Sequence, residues 1–225
     1  MSKSRKAQSE KILAKHKIAI NPNLPRIENE DEAKIKSPEE TVKRAVTAFI
    51  TAQIAIDICN NNGALESVEF FTPIIERFGL TDELTDDEKI YFDKEKCDDI
   101  SQDAAYQMQW RLEMCVPLFW ACGFRKKLDY PCKMTDTVPQ IHLIGGCQNF
   151  GELMKHVKMR APSEILDEAD LIFRMDWACV EARLKNDPSL MGDLFQDVVV
   201  ERHKGLNWLI GAYDADDWDN VAPNT

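Results

Sequence analysis

What this sequence lacks narrows its function before anything it contains does. No apolar run reaches the roughly 18 residues that a membrane-spanning helix requires, so no membrane association is expected. The N-terminal stretch is basic but has none of the long apolar core of a secretory signal. No two of the seven cysteines stand as CxxC. Without secretory context they read as reduced thiols of a cytoplasmic protein. GxGxxG, GxxxxGK[ST] and Gly-x-Ser-x-Gly are all missing, which leaves no phosphate loop and no hydrolase elbow to argue from. Base is short as well: 28 Lys+Arg stand against 39 Asp+Glu, a net charge of −11. Phosphate repels such a chain, which disfavours nucleic acid as a partner.

The charge is unevenly placed. Residues 1–36 carry nine Lys+Arg and five Asp+Glu, a net of +4, and the other 189 residues carry 19 against 34, a net of −15. A basic arm joined to an acidic body is expected to fold back onto it. With 44% hydrophobic residues and five Trp, the body has enough apolar side chain for a core without metal or disulfide. We read 1–225 as one domain, with 1–36 an arm packed on the body.

The pattern is helical. Ser37-Pro38-Glu39-Glu40 is an N-terminal signature, and the helix behind it runs to Asn60-Asn61-Asn62-Gly63. Leu65 to Phe78 is a second helix, with Pro73 predicting a bend. Thr85-Asp86-Asp87-Glu88 is another helix start. Ser101 opens a long helix to Cys122 that is apolar nearly all round after Leu112, with Pro117 predicting a kink. Val138 to Ile144 reads as a short strand or an extended segment. Asn149 caps a short helix, Ser163 one to Leu184, and a last helix covers about Gly192 to Ile210. The fold class is therefore mainly α, with at most a short strand near 136–145.

Helical periodicity then locates the unusual polar residues. On 163–184, Leu166, Ala169, Ile172, Phe173, Trp177, Val180 and Leu184 share one arc. Asp176 and Arg183 fall inside it, while Arg174 and Glu181 point away. On the last helix Arg202 falls in the apolar arc and His203 at its edge. Charges on a core face must be paired, so a carboxylate such as Asp176 is expected to meet Arg202 or Arg183 between these helices. They form either a structural network or a polar pocket of Asp176, Arg183, Arg202 and His203. Arg111, on the central helix, is a further ligand-binding candidate. His203 is the one acid–base candidate, and it has no nucleophile at an interpretable spacing. His142, Cys147 and His156 fit no regular zinc pattern. The acidic tail of Asp214, Asp216, Asp217 and Asp219 lacks the glycine and final glutamate of a calcium loop. No metal and no cofactor are expected.

Ser163-Glu164-Ile165-Leu166-Asp167-Glu168-Ala169-Asp170-Leu171-Ile172-Phe173-Arg174 resembles a signature of the DUF4272 family. So do Val200-Glu201-Arg202-His203-Lys204-Gly205-Leu206-Asn207-Trp208 and Trp218-Asp219-Asn220-Val221. Trp110-Arg111-Leu112-Glu113 and Leu118-Phe119-Trp120-Ala121-Cys122-Gly123 are similar to its central helix. The resemblance covers most of the chain, the arm included. It is a family of unknown function, so it implies no activity. It implies that the arm belongs to the domain and that Arg174, Arg183, Glu201, Arg202, His203, Asn207 and Trp218 are characteristic. Where that family often has His before Trp, this chain has Asp176, which weakens any two-histidine mechanism.

Two functions follow as expectations. The first is a non-enzymatic cytoplasmic protein-interaction domain, of inhibitor or immunity type, whose acidic surface meets a basic protein. The alternative is a small-molecule-binding or enzymatic domain with an anion in a polar pocket between the last two long helices.

Overall fold

The computed structural model, which describes residues 4–225, is built of helices, five of which start at a capping side chain: Ser4, Ser37, Thr85, Ser101 or Asn149. In chain order the α-helices are α1 (Arg5–Lys15), α2 (Pro38–Cys59), α3 (Ala64–Phe78), α4 (Asp86–Lys89) and α5 (Gln102–Gln109). There follow α6 (Arg111–Ala121), α7 (Val138–Gly146), α8 (Phe150–Met154), α9 (Pro162–Lys185) and α10 (Gln196–Ile210). Ser37 Oγ accepts from Glu40 N–H at 3.2 Å, and Glu40 accepts from Ser37 N–H at 3.0 Å. Thr85 and Glu88 repeat the exchange. Each pair occupies two donors that a helix start would otherwise leave open. The fold is mainly α, and no strand occurs among the described residues.

Three local expectations change. Residues 138–146 are helical rather than extended. Gln140 and Ile144 are buried while Val138 and Ile141 are exposed. A spacing of four buries one helical face, and this tertiary pattern outweighs the β-branched composition. Pro117 lies inside α6, and the long central helix is interrupted at Trp110. There the bonds shorten to i−3, Trp110 N–H to Gln107 O and Glu113 N–H to Trp110 O. The arm contains a helix, α1, capped by Ser4; its first three residues lie outside the described residues.

The helices group into two compact units, interleaved in sequence. One comprises Ser37–Lys127 and Thr135–Met159. Its axis is α2, buried along most of its length, with α3, α5 and α6 packed on it. Phe49 and Phe119 meet edge to face, centroids 5.6 Å apart. Arg44 and Glu88 form a buried ion pair that Thr47 joins. Glu113, fully buried, accepts from the N–H and hydroxyl of Thr135. Gly123 has φ +82°, and a Cβ there would lie 2.6 Å from the Lys158 carbonyl oxygen. Lys158 N–H donates to Cys122 O at 2.9 Å, so a side chain at 123 would part the two strands of backbone.

The other unit comprises residues 4–36, Leu128–Met134 and Arg160–Thr225. Here α9 packs against α10 on one side and α1 on the other. Arg174 is buried at 1% exposure, although the helical wheel turns it away from the α10 face. The arm covers that second face. Asp170 takes Arg174 in two bonds of 2.8 Å, and the Pro25 carbonyl accepts a third at 3.0 Å. Arg5 pairs with Asp167 at 2.9 Å. The arm also closes α10: Lys34 and Lys36 donate backbone N–H to Ile210 O and Leu209 O, carbonyls that a helix end leaves open. Gly211, at φ +64°, makes the exit, and a Cβ there would meet Lys34 at 2.9 Å.

Because a buried ion pair broken on one side leaves a stranded charge, Asp170→Asn is expected to destabilise the protein by about 3–5 kcal/mol. The double change Asp170→Leu with Arg174→Met is expected to recover most of that loss. Urea denaturation of the two variants checks both.

Candidate functional site

Helical spacing builds the site. Glu168, Leu171, Ile172 and Met175 of α9, at i, i+3, i+4 and i+7, share one stripe. Arg202 and Leu206 of α10 sit one turn apart and face them. Ile12 of α1 and residues 128–131 complete the walls of a cleft of about 150 Å³. Its lining is mainly apolar, with Arg202, Glu168 and Asp129 as the polar residues besides Tyr130.

The irregular wall is fixed by side chains. The Tyr130 hydroxyl donates to Asp193 at 2.8 Å, and its ring stacks on His16 with centroids 4.2 Å apart. Burial, and then Asp193, pushes the Tyr130 phenol well up, so it stays protonated and donating. Phe195 N–H bonds Pro131 O at 2.8 Å. Arg202, only 3% exposed, donates to the Asp129 carbonyl at 2.6 Å. Half-buried Glu168 faces the same space. Burial raises its carboxyl above the usual range, and Asp167 adds to this. Arg202 and Arg160 pull it back.

The predicted residues part company here. Arg202 lines the cleft. Asp176 meets His203 rather than an arginine: Nδ1 of His203 lies 2.7 Å from Asp176 Oδ2, both residues buried. Each follows a cleft-lining residue by one position, about 100° around its helix, which turns the pair into the α9–α10 contact behind the wall. The other oxygen, Asp176 Oδ1, is buried without a partner. Arg183 is exposed near the end of α9, and Leu184 beside it is 73% exposed, because the apolar arc ends before them. Arg111 belongs to the α2 unit and pairs with Asp87 at 3.2 Å.

Cys179, three residues after Asp176, has its thiol pushed up to about 12 by burial and by the Asp176 carboxylate. It is therefore a neutral thiol near pH 7. Sequence reasoning missed Glu168, Tyr130 and the 128–131 wall. Glu168 was open to detection, since it stands four residues before Ile172; the wall follows from no periodicity.

The fold and cleft define a mainly α protein with a small, largely apolar cleft beside α9 and α10. The chain belongs to the DUF4272 family, a domain of unknown function, whose sequence profile matches residues 5–221. No curated protein and no solved structure matches it.

A raised carboxyl pKa costs the folded state stability above that pKa, and the cost fades as pH falls and the group protonates in both states. Glu168→Gln is thus expected to raise the melting temperature at pH 7. The gain should shrink as pH approaches about 4, where a free glutamate protonates. Thermal melts across that range check the sign.

Proposed function

We propose that the unit built on α9 and α10 is a small-molecule-binding domain. Its cleft takes a compact, largely apolar molecule with one anionic group directed at Arg202. The observation that carries this reading is the apolar cleft with a guanidinium in its wall, since such sites fix orientation with a few polar groups. A space of about 150 Å³ is enough for a benzene-sized molecule, which sets the ligand's scale. Glu168 sets a condition on it. An anion beside this carboxyl binds best when the carboxyl is protonated, so affinity rises as pH falls through its raised pKa. The sealed His203–Asp176 pair supports binding without catalysis. Seven free thiols favour a reducing, cytoplasmic setting.

A second reading, a domain that engages a basic protein, is favoured by a separate observation. The chain beyond the arm is strongly acidic, and an outward face of α3 combines acid with exposed aromatic surface.

Thermal shift with phenylacetate, benzylamine and benzyl alcohol tests the cleft. Phenylacetate is expected to raise the melting temperature, more at mildly acidic pH, and benzylamine to leave it unchanged. Leu171→Trp, which fills the cleft, is expected to remove the shift. A shift untouched by Leu171→Trp, or no shift with any of the three, overturns the reading.

A further inference from the structure

In the α2 unit, the middle of α3 carries an aromatic ring, Phe70, that is left largely in solvent. Phe70 is 67% exposed, and its ring meets Phe71 edge to face with centroids 5.0 Å apart. Leu65, also exposed, lies on the same helix. Beside the two rings, Asp57 of α2 and Glu66 of α3 border an open hollow of about 340 Å³. Asp57 is held in position by Ser67, whose hydroxyl donates to Oδ2 at 2.7 Å, and by Asn62, which donates to Oδ1 at 3.3 Å. Glu66 is exposed at the edge.

We propose that this hollow docks an arginine side chain carried on the surface of a basic protein. Its guanidinium pairs with Glu66 and Asp57, and its planar head and stem cover the Phe70 ring. The proposal rests on the second reading above and gives that reading a site. Charge decides the occupant. Two carboxylates attract a cation and repel a second copy of this acidic chain, as they repel phosphate. Shape decides its size. The hollow is too open for a free amine to take Phe70 out of water, whereas a partner's surface brings the cover with it.

Fluorescence anisotropy with a labelled peptide of alternating arginine and leucine tests this, with a glutamate-for-arginine peptide beside it. The arginine peptide is expected to bind and the glutamate peptide not to. Phe70→Ala keeps the net charge and removes a largely exposed ring together with its edge contact to Phe71. It is expected to weaken binding about tenfold, as loss of a cation–π contact and its cover would, with only a small fall in melting temperature. Glu66→Gln is expected to weaken binding similarly. Asp103→Asn, an equal loss of charge at the exposed start of α5, is expected to leave it unchanged. Binding that Phe70→Ala does not alter overturns this site and leaves the reading of a basic partner standing. No binding of the arginine peptide to the unaltered protein overturns both. Free arginine amide competing as well as the peptide, or a dimer that Phe70→Ala dissolves, assigns the hollow to another occupant and also overturns the proposal.

Discussion

A guanidinium held out of water organises the unit that contains the cleft. A buried guanidinium must find partners for its N–H groups inside the protein, and Arg174 is such a group. It needs Asp170 one turn back, and it needs the Pro25 carbonyl, which only the arm supplies. That requirement brings the arm against α9 and gives α9 two buried faces. Once there, the arm continues to α10 and occupies carbonyls at its end. One desolvated charge thus ties the arm to α9, and backbone N–H groups and lysines of the same arm reach the end of α10 and the acidic tail.

The cleft inherits its character from the same packing. With α1 against one side of α9 and α10 against another, the remaining stripe of α9 has short segments as neighbours: Ile12 and residues 128–131. A helix would have filled that space; an irregular segment leaves part of it open. Adjacent residues on one helix then take opposite duties. Arg202 faces the opening, and His203 is locked behind it on Asp176. An imidazole in that position holds the two helices together and meets no solvent-borne molecule.

Much of the helical order was legible in the sequence because capping is local. Ser37, Thr85 and Asn149 announce their helices within four residues. The wheel on α9 placed Asp176 on a core face correctly. It failed for Arg174, because a wheel assumes one buried face and the arm creates a second. It failed for Arg183 because the apolar arc continues in sequence past the point where packing stops. The pairing of Asp176 with His203 instead of an arginine depends on the register between two helices, which neither helix encodes alone. The 128–131 wall was illegible for a related reason: its shape comes from Asp193, His16 and Phe195, distant in sequence.

The seven residues Leu128–Met134 belong with α9 and α10, while the chain on both sides of them belongs with α2. Neither unit is a continuous stretch. A single break in the polypeptide therefore releases neither one whole, and shortening the gene from either end removes parts of a unit rather than a module. No cut point therefore exists at which the chain falls into its two units, and the family match likewise spans both, from residue 5 to residue 221.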